Sequence, residues 1–139
     1  MRNVAATLKV RTGGSGLLEI TSEVRAWLES QTVTTGLLTL FCRHTSASLL
    51  IQENAARAVR RDLEKYFAAL APEDPSRYEH NDEGPDDMPA HLRTALTGVQ
   101  LSIPVVEGAL SLGTWQGIYL FEHRRRPHQR EVVLHLIGE

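Results

Sequence analysis

The last third of the chain is strand after strand. Val99–Ile103, Ala109–Leu112, Gln116–Glu122 and Glu131–Ile137 each have the length and apolar content of a strand. Only turn material separates them: Pro104 and Gly108, then Gly113, then an Arg-rich segment. Parallel neighbours need a crossover of a dozen residues or more, usually a helix, and no such stretch lies between these strands. A doubly wound parallel sheet is therefore excluded, and the segment must pair largely antiparallel.

The first two-thirds mixes strands and helices. Asn3–Arg11 places Val4, Ala6, Leu8 and Val10 on one face, the alternation of a half-buried strand. Thr12-Gly13-Gly14-Ser15-Gly16 is a turn, and Leu17–Ile20 begins the return strand. Thr21 or Ser22 can cap a short helix with Val24, Trp27 and Leu28 as its apolar stripe. Gly36–Cys42 is a nearly continuous apolar run, which predicts a buried central strand. The longest predicted helix is Glu53–Leu70, with Val59, Leu63, Phe67 and Leu70 inward and Pro72 and Pro75 beyond its end. Glu73–Asp87 is a polar loop with seven acids and one Arg. A short helix follows at about Pro89–Thr97, capped by Asp87 and stopped at Gly98. The expected fold is α+β: one domain over residues 1–139, largely antiparallel sheets, sandwich-like, packed with helices.

Composition narrows the function. An apolar content of 42% fills a core for 139 residues, so neither a disulfide nor a metal is needed merely to fold. The single cysteine, Cys42, has no intrachain disulfide partner. No apolar run reaches membrane-spanning length, and the N-terminus lacks a signal-peptide core, so a cytoplasmic protein with no membrane partner is expected. The formal charge of −2 argues against a general polyanion binder. Aromatic residues are 6% and none interleaves with Arg124–Arg126, so no nucleic-acid partner is expected. Arg outnumbers Lys 13 to 2, a bias that a GC-rich genome also produces.

Histidine carries the chemistry. His135 alternates within the last strand and His128 lies in the Arg loop, whereas His44, His80 and His91 stand where elements begin or end. Rigid scaffolds present functional side chains at such places. Imidazoles suit zinc, and three of them leave a coordination position open for water or substrate. Asp87 lies four residues before His91, one helical face away from orienting it; Asp82 and Asp86 are also near. Solvated histidines are the competing reading. Gly113-Thr114-Trp115-Gln116-Gly117 is either a bulge with a core Trp or a ring-binding corner made by Trp115 and Gln116. Arg124-Arg125-Arg126 and Arg130 are either phosphate ligands or a solvated loop. Thr45, Ser46 and Ser48 add hydroxyls and N–H groups suited to an oxyanion.

Arg43-His44-Thr45-Ser46-Ala47-Ser48-Leu49 resembles the H-T-[ST]-A-[AS]-L signature of the YjbQ-like family of secondary thiamine-phosphate synthases. Two further blocks match in order: Tyr78–Gly84 with Asp86–His91, and Gly113–Ile118 with Glu122-His123-Arg124. The resemblance implies a homotrimer of α+β subunits. It also implies a low-level activity that joins a hydroxymethylpyrimidine diphosphate to a thiazole phosphate and releases pyrophosphate. The family's histidines fall on His44, His80 and His91, which implies a divalent-metal site near a subunit boundary. The family usually continues N-E-N-x-D-P, where this chain has Gln52-Glu53-Asn54-Ala55-Ala56-Arg57, so the expected acid at 56 is absent.

Residues and resemblance together assign expected roles. The ion is zinc, with magnesium an alternative for a diphosphate substrate. Asp87 orients a ligating histidine, and Glu53 or Glu122 transfers protons. Trp115 stacks on the pyrimidine and Gln116 bonds its edge. Thr45, Ser46, Ser48, Asn54, Arg124 and Arg130 bind a small phosphorylated heterocycle. The alternative is a non-catalytic trimeric module that binds metal or phosphate for another metabolite or nucleotide.

Overall fold

In the computed structural model, which describes residues 1–139, the chain runs β1 (Arg2–Arg11), β2 (Gly16–Glu19), α1 (Thr21–Glu29), β3 (Gly36–Cys42), β4 (Ala47–Glu53), α2 (Arg57–Leu70), a 3-10 turn at Pro75–Arg77, α3 (Asp87–Thr97), β5 (Gln100–Val106), β6 (Ala109–Leu110), β7 (Gln116–Glu122) and β8 (Gln129–Gly138). Five strands form one sheet in the order β1-β8-β3-β5-β6, and three form another in the order β2-β7-β4. All pairings are antiparallel. The α+β class read from the strand succession is the class observed. No helix is long and apolar enough to cross a membrane.

The main core lies between the two sheets. Leu38, Leu40, Val132, Leu134 and Leu136 from the larger sheet meet Ala47, Leu49, Ile118 and Leu120 from the smaller, and Ile20, Val24 and Leu28 close one side. Each such fully buried Leu contributes about 1.5–3 kcal/mol through area removed from water. The smaller sheet is covered on its other face as well. Tyr119, Phe121 and Leu17 pack there against Leu63 and Phe67 of α2. Strand β7 is therefore buried on both faces, with Gln116 its one exposed residue.

Two expectations about local structure need correction. Leu17–Glu19 does return, but not onto β1: it pairs with β7, from Gly16↔Glu122 to Glu19↔Tyr119. Gly14 (φ 130°) and Gly16 (φ 136°) let the chain leave one sheet and enter the other. The long helix begins at Arg57 rather than Glu53, because β7 draws residues through Glu53 into a ladder that runs from Ala47↔Glu122 to Glu53↔Gln116. That ladder spans about 20 Å at some 3.3 Å per residue. Its two ends carry different groups of side chains.

Candidate metal centre

At one end of the ladder, the acidic loop and the start of α3 bring His80, Glu83, Asp87 and His91 together. One ligand atom from each lies within 4.8 Å of the others. Asp87 is the first residue of α3 and His91 follows one turn later, so both project from one helical face. Asp86, not Asp87 as the sequence suggests, takes the N-cap position, and its side chain makes no cap bond; Asp87 sits inside the cluster.

The hydrogen bonding around the two imidazoles is specific. His91 Nδ1 lies 3.0 Å from the Thr45 carbonyl, which only accepts, so Nδ1 carries the proton. His91 Nε2 then faces Asp87 Oδ2 at 3.1 Å. His80 repeats the arrangement. Its Nδ1 lies 3.1 Å from Asp82 Oδ1, and its Nε2 is 2.9 Å from the same Asp87 Oδ2 and 3.3 Å from Glu83 Oε2. Two imidazoles thus turn their Nε2 atoms on one carboxylate oxygen while oxygen acceptors hold the far nitrogens. That is the outer-shell pattern of metal-binding histidines. Neutral rings with bare Nε2 atoms would leave acceptor facing acceptor. A cation between them would satisfy all three atoms, and the donor set, two imidazoles with carboxylates, suits zinc. Without an ion, hydrogen bonds to Asp87 and Glu83 push the His80 pKa up. Burial would raise the Asp87 pKa, but its bond from His80 and the charges of His91 and Arg124 outweigh that and hold it low.

Arg124 fixes the carboxylate. Its guanidinium donates to Asp87 Oδ1 (2.8 Å), Asp86 Oδ2 (3.1 Å) and the Glu83 carbonyl (3.0 Å). Asp87 Oδ2 is thereby left for the histidines. Arg124 is expected at a substrate phosphate; in the fold these donors serve the loop. The same expectation falls on Arg130. It is buried, pairs with Glu122 through two nitrogens and donates to Ser46 Oγ (3.0 Å).

The remaining assigned residues divide sharply. His44 stands outside the four-residue group, and its Nε2 accepts the Glu131 N–H at 2.8 Å, so as placed it turns no free lone pair toward an ion. Glu122 is buried; its carboxylate accepts from Thr12, Arg130 and the N–H groups of His123 and Arg124. Burial alone would raise its pKa, but these donors hold it below the usual range, which makes Glu122 a fixed charge rather than a proton carrier. Ser48 is buried, with its hydroxyl between His123 Nε2 (2.9 Å) and Thr97 Oγ1 (2.6 Å), and so is closed to substrate. Thr45 remains exposed beside His91.

The other residues lie at the far end of the ladder. Asn54 donates to Glu19 (3.0 Å), Glu53 accepts the Ala56 N–H (3.0 Å), and Gln116 accepts the Gly113 N–H (2.8 Å). Trp115 is 62% exposed there. A Cβ on Gly117 would come within 2.7 Å of Glu19 Oε2, so the glycine permits this packing. Trp115 and Gln116 therefore cannot share one pocket with His80 and His91 inside a single subunit. Sequence reading missed Glu83 as a cluster member and His123 as the buried end of a polar relay. Glu83 had a usable signal in its spacing of three from His80 and four from Asp87.

The comparisons cover nearly the whole chain. Residues 6–139 match the family described as UPF0047 protein YjbQ-like. The UPF0047 protein sll1880 of Synechocystis sp. is 55% identical over 132 residues, 95% of this chain and 90% of that protein. The UPF0047 protein YjbQ of Escherichia coli O157:H7 is 41% identical over 134 residues, 96% of each. The crystal structure of the conserved hypothetical protein TT1486 from Thermus thermophilus has a TM-score of 0.85 at 39% identity, covering 95% of this chain and 99% of that one. The family match over residues 6–139, the identity to relatives of the same length and the common fold together make this chain a member of the YjbQ-like UPF0047 family.

Proposed function

We propose that the protein is a metal-dependent transferase of the thiamine-phosphate synthase type, with a zinc ion held by His80, Asp87 and His91 and with Glu83 beside them. The observation that carries the metal assignment is the pair of Nε2 atoms at 2.9 and 3.1 Å from one Asp87 oxygen, each ring held from behind by an oxygen. The resemblance of the three sequence blocks supports the reaction class. In that reaction a thiazole ring nitrogen attacks the methylene carbon that bears the diphosphate. The C–N bond forms, the C–O bond breaks, and pyrophosphate leaves with the electron pair. An ion held by His80, Asp87 and His91 would supply charge neutralisation for that leaving group. The chain's own residues hold the ligand atoms in place: Thr45 and Asp82 orient the imidazoles, and Arg124 orients Asp87. The exposed Thr45 hydroxyl meets phosphate oxygens at the rim.

In this reading the subunit is one of three. Leu37 and Ile137 lie directly opposite each other on the outer face of the five-stranded sheet, each 40% exposed. The neighbouring pair on that face, Thr39 and His135, carries no carboxylate or permanent cation. Such a face suits contact with another copy.

Chelator-stripped protein reloaded with zinc tests the reading. His80→Ala and His91→Ala should lose the ion and release no pyrophosphate from the two substrates, while His44→Ala should keep the ion. Full zinc occupancy in both of the first two variants overturns the metal assignment. Zinc uptake with no pyrophosphate release overturns the transferase and leaves a binding module.

A further inference from the structure

A pocket of about 330 Å³ lies where α2, α3 and β7 meet the turn into β2, at the lower end of the small-ligand range. None of its lining residues belongs to the metal cluster. Phe67 and Phe121 meet edge to face at 5.6 Å and give it an apolar floor. Two opposite charges stand in its wall, and backbone contacts hold each in place. Arg93 donates through Nε to the Phe67 carbonyl (3.2 Å) and through Nη2 to the Ala71 carbonyl (2.6 Å). Those bonds cap the end of α2, where a cation is favoured, but they leave Nη1 accessible and without a partner. No carboxylate pairs with Arg93, because the acids near it serve other arginines: Glu73 bonds Arg125 and Asp86 bonds Arg124. Burial accordingly holds the Arg93 pKa below the usual arginine value. Glu64 is the second charge. Its Oε2 accepts the Leu17 N–H at 2.8 Å, and its Oε1 has no partner. Glu122, at the floor, is already balanced by Arg130, and Lys65 is exposed.

We infer that this pocket binds a free α-amino acid with an apolar side chain. Its carboxylate meets Arg93 Nη1, its ammonium meets Glu64 Oε1, and its side chain packs on Phe67 and Phe121. A half-buried charge without a counter-charge is costly, and a ligand carrying both signs supplies one to each group. A plain anion would be repelled by Glu64 and a plain cation by Arg93. The inference goes beyond the transferase reading and stands without it.

Isotope-labelled protein is titrated with leucine, 4-methylpentanoate and isopentylamine, which share an apolar chain and differ in charge, and amide shifts are followed. Leucine should shift Glu64, Ala68, Arg93 and Phe121. It should bind on the order of tenfold or more tightly than either analogue, the worth of one hydrogen bond between charged groups. Glu64→Gln keeps an oxygen for the Leu17 N–H, so the fold is retained, and it should erase the preference for leucine over 4-methylpentanoate. Ala68→Trp, at an exposed position of α2, fills the pocket and should remove leucine binding while zinc uptake stays unchanged. No leucine shifts at millimolar concentration, equal binding of leucine and either analogue, a preference that survives Glu64→Gln, or binding that survives Ala68→Trp overturns the inference.

Discussion

Arg124 shows how far a residue's role depends on what stands opposite it. In sequence it is one of four arginines in a basic segment; in the fold it holds Asp86, Asp87 and the Glu83 carbonyl. Removing an outer-shell partner of a metal site weakens binding about 10- to 100-fold. Arg124→Ala should lower zinc affinity by that factor in a chelator competition, with far less effect from Arg126→Ala. His123 gives a second prediction at this scale. It is 1% exposed, its Nδ1 has no partner, and burial, helped by the Arg93 charge, pushes its pKa down to about 3. The folded pKa is depressed below the ordinary value of about 6.5, so the native state holds the neutral ring. Its stability contribution is complete above about pH 6.5 and is lost as pH falls toward 3, by roughly 1.4 kcal/mol per pH unit. Urea unfolding should show that slope between about pH 6 and 4 and none from this group between pH 8 and 7, and His123→Gln should flatten it.

Among the elements, α2 explains the chain's departure from the family pattern. Ala56 is the N-cap of α2 and provides no side-chain cap, and Arg57 is its first residue. An Asp there would accept orphan N–H groups of the first turn, and a Pro at the next position suits the start of a helix. An Asp-Pro pair at 56 and 57 would therefore suit the start of α2 in this fold. Ala56→Asp should raise unfolding stability by about 1 kcal/mol in chemical denaturation and leave zinc affinity unchanged. Start and stop signals of this kind are partly legible in sequence. Gly98 ends α3 as expected, with φ 93°. The start of α2 is not legible, because the helical stripe of Val59, Leu63 and Phe67 says nothing about a strand partner in β7, far along the chain. Leu63 and Phe67 do face inward, onto Tyr119 and Phe121, while Leu70 remains 50% exposed.

For the whole molecule, the two sheets set what can meet what. The far end of the β4–β7 ladder, with Asn54, Trp115 and Gln116, lies away from the histidine group of its own subunit, so in the proposed trimer it would meet only another subunit's group. If the outer face of the larger sheet is the boundary between subunits, charge placed there disrupts it. Leu37→Glu with Ile137→Glu should reduce the mass measured by light scattering at micromolar concentration to that of one chain, while the circular dichroism of the sheets is retained. A wild-type monomer at that concentration would remove the trimer from the reading.

What the sequence by itself determined is local and periodic. Alternation, helical spacing and turn residues specify most of the elements and the antiparallel, α+β class, because each depends on neighbours a few residues apart. Spacing also brought Asp87 to His91, since four residues on a helix share a face. The tertiary structure alone decided which of the assigned residues are neighbours. It left His44 out of the group, set Arg124 behind Asp87, closed Ser48, Glu122 and Arg130 inside polar contacts, and sent Trp115 to the other end of a strand. The reason is physical: a buried charge or hydroxyl must find its partner from whatever the packed strands bring beside it, and those partners lie far along the chain, as Thr12 does from Glu122, 110 residues away.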